Sequence, residues 1–311
     1  MTYLAFDIIK ELAAKEGFVD CGATKSGELD LTAFKDWLSR GYNASMSYLE
    51  NNLDKRQSPE LLFEDTKTIL CFLYSYNDEN ITEDSPYKIA QYAQRKDYHY
   101  VIKQKLNNII STLQTQFKDF SARAFVDSAP IKEVEWAIRC GLGWRGKNSL
   151  LVTKQFGNKV FIGEILCNYT TDYTEENNDT QKDYCGSCTA CLDSCPNHAI
   201  LPNRTLDANL CISYQTIENK ETIPETINLN NYIYGCDICL NACIWNRKAK
   251  TISTQDKEVK DLINCILTKI QRSEDFEEEW RQIKKLSPMG RAKYQKFLSN
   301  IELAKKQSKL N

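Results

Sequence analysis

The stretch CGSCTACLDSCP, residues 185–196, sets four cysteines in the order C-x2-C-x2-C-x3-C and follows the last with Pro196. Tight turns at that spacing let Cys185, Cys188 and Cys191 grip one four-iron four-sulfur cubane while Cys195 points away toward a second. A partner group lies downstream: Cys211, then Cys236, Cys239 and Cys243 in C-x2-C-x3-C. Exchange of the fourth ligand assigns Cys185, Cys188, Cys191 and Cys243 to one 4Fe-4S cluster, and Cys195, Cys211, Cys236 and Cys239 to the other. Zinc is the competing occupant, because paired C-x2-C motifs commonly bind it, but a three-cysteine run with a fourth before proline is unusual for zinc. Ile244 follows Cys243 where a second such motif usually has proline, a residue that shapes the turn without touching iron.

Outward from this run, the chain has 311 residues, 42% hydrophobic and 26% charged, enough to bury a sizeable core and divide into two or more domains. Thirteen cysteines, eight of them crowded between 185 and 243, favour metal over disulfides in a reducing cytoplasm. The others, Cys21, Cys71, Cys140, Cys167 and Cys265, sit in apolar segments and read as core residues. A formal charge of -2 argues against a generally basic nucleic-acid coat, while leaving room for a local basic patch. With no apolar run of about 18 residues and a start that reads as an amphipathic helix, the expectation is a cytoplasmic protein without a membrane span or signal peptide.

The fold expected is α+β, with an amino-terminal α/β catalytic domain over 1–170, a linker over 171–184, a ferredoxin-like two-cluster domain over 185–250 and a short helical segment over 251–311. Residues 4–17, 31–40 and 87–117 carry helical periodicity, KTILCFLYSY (67–76) reads as a buried strand, and RAFVD (123–127) as a strand followed by a helix over 131–140. SLLVT, the turn FGNK and VFIGEIL read as a β-hairpin. The linker is rich in acids and poor in aliphatics. In the last segment 284–311 holds eight lysines and arginines against Glu302, a candidate RNA-contacting surface whose bland reading is a solvated helix face.

Two clusters alone would make a carrier, so the preceding domain needs its own chemistry. Its most suggestive segment is VDSAPIKEVEWAIRCGLGWRGKNSLLV (126–152), where Asp127 ends a strand and a glycine-rich loop presents Lys147 and Asn148. Taken alone, Asp127 reads as a turn cap.

The chain resembles the epoxyqueuosine reductase family in VDSAP, GLGWRGKNSLL, YCGSCTACLDSCPNHAI, LCISYQTIE and YGCDICLNACIWN, and more weakly in MSYLENNLDKRQSPELL, YAQRKDYHYVIKQKL and SPMGRAKYQKFLSNIELA, in the family's order and over nearly the whole chain. The resemblance implies a cob(II)alamin in the amino-terminal domain, two 4Fe-4S clusters that reduce its cobalt, and a tRNA whose epoxyqueuosine is reduced to queuosine with loss of oxygen as water. It implies Asp127 as proton donor, and Arg56, His99, Asp127, Lys147, Asn148 and Ser149 as cobalamin or substrate contacts. Proton donation asks for a protonated Asp127, which burial beside an apolar ring would favour. No D-x-H-x-x-G motif is present, so the cobalamin is expected base-off. An external flavodoxin- or ferredoxin-type donor, a monomeric state and absence of the helical repeat extension of longer members complete the expectation.

Three other classes stand beside it: a two-cluster electron carrier with a docking domain, a corrinoid reductive dehalogenase, and a nucleic-acid-binding protein with structural clusters. The first would lack corrin, the second usually has an export signal, and the third leaves one cluster unexplained.

Overall fold

The computed structural model describes residues 3–78, 85–172, 183–252 and 256–309. The amino-terminal half runs β1 (Tyr3–Leu4), α1 (Phe6–Lys15), β2 (Asp20–Lys25), α2 (Thr32–Ser39), α3 (Leu53–Gln57), β3 (Thr68–Ser75), β4 (Lys88–Ile89), α4 (Tyr98–Gln116), β5 (Ala122–Phe125), α5 (Glu133–Arg139), β6 (Trp144–Arg145), β7 (Leu151–Val152), β8 (Val160–Cys167) and β9 (Thr170–Thr171). Its main sheet has the order β2-β3-β8-β5, and all three ladders are antiparallel. The α+β class is met, but the alternating α/β character expected of this half is not.

Strand β3 is buried along nearly its whole length because both sheet faces are covered. Leu70 and Phe72 point to one side, with Ile102, Leu106 and Ile109 of α4. Ile69, Cys71 and Leu73 point to the other, with Trp136, Ala137 and Cys140 at α5. A Cβ at Gly22 would lie 2.3 Å from the carbonyl oxygen of Cys140, so the close approach of β2 to the end of α5 requires glycine.

Two sequence expectations need correction. The expected hairpin over 149–166 is reduced to a single Thr153–Gly157 bridge: Trp144 pairs with Val152 and Arg145 with Leu151, so the turn lies at Gly146–Ser149, while β8 pairs with β3 and β5. Ser149, at φ 68°, supplies the left-handed backbone of that turn. The turn at Phe156–Asn158 instead docks on the cysteine domain, where Asn158 N–H donates to Asn246 Oδ1 at 2.9 Å. The helix expected from residue 87 begins only at Tyr98, where the Asp97 side chain accepts from His99 N–H and caps it. Before it, β4 pairs in parallel with a strand of the second half, which draws Ile89 and Ala93 into that half's core.

The second half contains α6 (Ala190–Asp193), α7 (Ile212–Ile217), β10 (Tyr232–Tyr234), α8 (Ile238–Asn241), α9 (Lys257–Arg272), α10 (Glu277–Leu286) and α11 (Tyr294–Ser308). Helix α9 buries Val259, Ile263, Ile266 and Ile270 at helical spacing, and α10 and α11 add Trp280, Ile283, Phe297 and Ile301. These side chains share one core with Ile212, Ile227, Tyr232 and Tyr234. Segment 251–311 is therefore not an appended tail; it closes the core of the cysteine-bearing half. Fully buried Asn300 fixes the junction, its Nδ2 donating to the carbonyls of Thr216 at 2.8 Å and Ile233 at 3.0 Å. Of the expected linker, Thr171 pairs with Leu4, and residues 173–182 lie outside the described residues. No described helix is long and apolar enough to cross a membrane.

Candidate functional site

All eight motif cysteines are unpaired and partly exposed. Cys185, Cys188, Cys191 and Cys243 line one small cavity together with Lys147, Asn148 and Trp245. The loop before α6 and the loop after α8 bring them there. Trp144 Nε1 donates to Cys185 Sγ at 3.4 Å, and the rings of Trp144, Tyr184 and Trp245 pack at 5.0–6.1 Å around the group.

The remaining thiols crowd together. Burial, then Cys236, Cys211, Cys191 and Cys195, drives the Cys239 thiol well above its ordinary range. Burial likewise pushes Cys236 up to about 12, with Cys211, Asp237 and Cys195 adding to it. Four thiols gathered this way are costly to ionise alone and suited to a cationic iron core, which removes that penalty by taking them as thiolates. Among the described residues, no three His, Cys, Asp or Glu side chains converge on a point for a lone ion. The residues present fit two cubanes. The influence of Cys191 on Cys239 places the two groups side by side.

A cavity of about 1010 Å³ opens beside the second group. Both halves of the chain line it: Phe34, Arg56, His99 and Asp127 from the first, Cys211, Tyr214 and Arg291 from the second. Of the residues expected to hold cofactor or substrate, Arg56, His99, Asp127 and Ser149 reach this cavity. Lys147 and Asn148 do not, because the turn before β7 aims them at the first thiol group, where Lys147 Nζ donates to Gly186 O at 2.7 Å.

Asp127 lies two residues past β5, in the left-handed region at φ 56°. Its side chain is half exposed, yet faces the cavity and not the outer surface. Oδ2 receives the hydroxyl of Tyr98 and lies 3.1 Å from His99 Nε2. The ring of His99 stacks on Tyr98 at 4.1 Å, and its Nδ1 lies 2.6 Å from Asp97 Oδ1.

The expectation that Asp127 carries a raised pKa is overturned. Burial does push it up, but the hydrogen bonds from His99 and Tyr98 and the charge on His99 outweigh burial and hold it below the ordinary carboxylate range. His99 is the mirror image, raised to about 9 by Asp127 and then Asp97. At neutral pH the resting dyad is imidazolium and carboxylate, with the transferable proton on His99.

Sequence reading missed the wall around this dyad. Glu133 Oε1 accepts the backbone N–H of Asp127 at 2.6 Å, and burial, reinforced by Asp127, pushes its carboxyl up to about 8. Arg56 is buried and, among the described residues, meets no carboxylate; its guanidinium donates to carbonyl oxygens at 3.4 and 3.5 Å. Lys132 stands 4.0 Å over Phe34, the ring that Arg56 also faces at 5.9 Å. Burial, Arg145 and Arg56 press the Lys132 pKa down to about 8. Lys132 and Arg145 thus share the carboxylate Glu135, and Arg56 adds a third positive charge near them. In sequence Lys132, Glu133 and Glu135 look like an ordinary charged first turn of α5, which concealed them.

Thiol groups suited to two cubanes, one of them reaching a cavity that also holds an acid–imidazole dyad, define an iron–sulfur oxidoreductase that joins electrons to protons at one place. The comparisons specify which. A family model described as Epoxyqueuosine reductase QueG, DUF1730 matches residues 56–128, and one described as 4Fe-4S double cluster binding domain matches residues 184–246. The epoxyqueuosine reductase of Cyclobacterium marinum is 38% identical, with 97% of each chain covered. That of Cellulophaga algicola is 38% identical over 96% of this chain and 97% of its own. The solved epoxyqueuosine reductase of Streptococcus thermophilus superposes with a TM-score of 0.80 at 26% identity, over 96% of this chain and 80% of that one. Another, solved with an epoxyqueuosine-modified tRNA-Tyr stem loop, gives 0.78 at 26% identity, over 96% and 81%. The chain belongs to the epoxyqueuosine reductase family.

Proposed function

We propose that this protein reduces epoxyqueuosine to queuosine in the anticodon loop of tRNA, the last step of queuosine biosynthesis, using two 4Fe-4S clusters and a base-off cobalamin. The observation that carries this reading is the shared cavity: Cys211, a ligand of one cluster, and Asp127 line the same space. A carrier needs no such cavity, and a structural cluster needs no dyad beside it. The relatives named for this reaction support the same substrate.

The ligand sets follow the grouping of the thiols, Cys185, Cys188, Cys191 and Cys243 for one cluster and Cys195, Cys211, Cys236 and Cys239 for the other. A cobalamin held in the cavity would supply electrons for epoxide reduction, and the cysteine-held clusters would pass electrons to it from a flavodoxin- or ferredoxin-type donor. Arg56 and Lys132 would hold the corrinoid's phosphodiester, because a buried guanidinium without an acid is stable only beside an anion. Ser149 lines the cavity and contributes a contact to the bound molecule, its hydroxyl donating to Arg204 O at 2.7 Å meanwhile. Lys147 and Asn148 support the first cluster.

Asp127 meets the substrate oxygen, and His99 recharges it. A positioned acid of this kind contributes about 10²–10⁴-fold. On the tRNA side, exposed Lys293 is available to phosphates, whereas Lys296 is drawn inward, its Nζ 3.5 Å from Glu221 O. The protein acts in the cytoplasm as a monomer. Absorbance of the anaerobically purified protein tests this assignment: iron–sulfur and corrinoid bands together support it, and iron–sulfur bands alone after reconstitution with cobalamin contradict it.

A further inference from the structure

Four carboxyl groups line the cavity: Asp127, Glu133, Glu135 and Glu218. Three have cationic partners. Glu135 meets Arg145 and Lys132, Glu218 accepts from Arg291 at 2.8 and 3.0 Å, and Asp127 faces His99. Among the described residues Glu133 alone of the four has none, and its hydrogen bond is the one accepted from Asp127 N–H. On the inner side β8 contributes Glu164, wholly buried with neither carboxyl oxygen hydrogen-bonded. Glu133 therefore stands near two other carboxyls, and the other titratable groups around the three include Tyr98, His99 and Lys103 of α4, Cys71 of β3, Cys140 after α5, and Arg291. A carboxyl so placed, without a cation and partly buried, keeps its proton.

The proposed reduction consumes two protons. Both C–O bonds of the epoxide break, a carbon–carbon π bond takes the two electrons delivered by the external donor through the clusters, and the oxygen leaves as water with two new O–H bonds. The His99–Asp127 dyad holds one transferable proton. We propose that Glu133, held beside Asp127 by its hydrogen bond from the Asp127 backbone N–H, stores the second and releases it through the cavity that both residues line. Asp127 touches the substrate oxygen; Glu133 acts beside it as a proton-storing and positioning residue, and bulk water reprotonates it after turnover.

The inference rests on the proposed activity, and its test separates the two. Glu133→Gln keeps an oxygen to accept the Asp127 N–H but carries no proton, so a purely structural Glu133 tolerates the change. Single turnovers of epoxyqueuosine-containing tRNA by wild type should slow as pH rises through about 8, where Glu133 ionises. The Gln variant, at equal iron and cobalamin content, should be slower by roughly 10²-fold below pH 8 and lack that step. Infrared titration of the protein without substrate should show a protonated carboxyl band that disappears near pH 8 in wild type and is absent from the Gln variant. Retention of that band in the variant, or a variant within about threefold of wild type with the same pH step, overturns the role of Glu133. A wild type that forms no queuosine at all refutes the activity itself, while the infrared band still reports where the proton sits.

Discussion

His99 Nε2 lies 3.1 Å from Asp127 Oδ2, and its other nitrogen lies 2.6 Å from Asp97 Oδ1. An imidazole held between two carboxylates is favoured in its charged form, and Asp127 is favoured as an anion in return. Asp127 thus acts as a conduit that passes a proton on. Neither residue need store a strained protonation state to do so.

Asp127→Asn should keep both clusters and the cobalamin yet lose most epoxide reduction. Asparagine caps a turn nearly as well as aspartate but transfers no proton. The expected loss is about 10²–10⁴-fold in single turnover, or about 3–5 kcal/mol of barrier. Turnover within about threefold of wild type, at equal iron and corrinoid content, would remove Asp127 from the mechanism.

The pH profile should carry the signature of His99. Protonated imidazole is required, so above the step assigned to Glu133 near 8 a second loss of activity is expected as pH rises through about 9. His99→Gln should abolish that step and lower the plateau, and Asp127, losing its largest opposing hydrogen bond, should titrate higher. Because the dyad and Glu133 interact, the two alkaline steps belong to the cluster of groups and shift together in each variant. A wild-type profile flat to pH 10 would contradict the dyad.

Much of this was legible in the sequence because it rests on covalent spacing and local periodicity. The cysteine runs could be read from 185–196 and 236–243 alone, and the buried strand at 68–75 from its unbroken apolar run. The antiparallel sheet was not legible, since β8 pairs with β3 across 85 to 99 residues and nothing local records its partners. Register failed at 149–166 for the same reason. Lys147 looked equivalent to Ser149, and the left-handed turn at Ser149 that separates them is a tertiary choice. Glu133 and Lys132 were hidden because their roles depend on what faces them from α4, β8 and α2, not on their own segment.

Iron and sulfide content should reach about eight of each per chain after anaerobic reconstitution, because eight motif thiols serve two cubanes. Cys195→Ala should disturb the cluster it shares with Cys211, Cys236 and Cys239, leaving the spectrum of the other nearly intact. Electron paramagnetic resonance of the reduced variant reads this directly. Stoichiometric zinc without iron would refute the cluster assignment, and loss of the other cluster's signal would refute the grouping.

Arg56→Gln should weaken cobalamin binding about tenfold or more, the value of a charge-assisted contact to phosphate inside a protein cavity. Lys132→Gln should act in the same direction and more weakly, since its ammonium is already destabilised by burial, Arg145 and Arg56. Titration of the cluster-loaded protein with cobalamin and with cobinamide, which lacks the nucleotide tail, gives the discriminating comparison. The variants should lose affinity for cobalamin alone, and equal losses for both corrinoids would place the phosphate elsewhere.

The central claim is tested most directly by incubating the protein, loaded with iron–sulfur clusters and cobalamin, with epoxyqueuosine-containing tRNA and a one-electron reductant under anaerobic conditions, then digesting the tRNA and separating its nucleosides. Epoxyqueuosine should disappear and queuosine appear in equal amount, with two electrons consumed per conversion and little product from Asp127→Asn. Unchanged epoxyqueuosine, with both clusters reduced and cobalamin bound, would contradict the account.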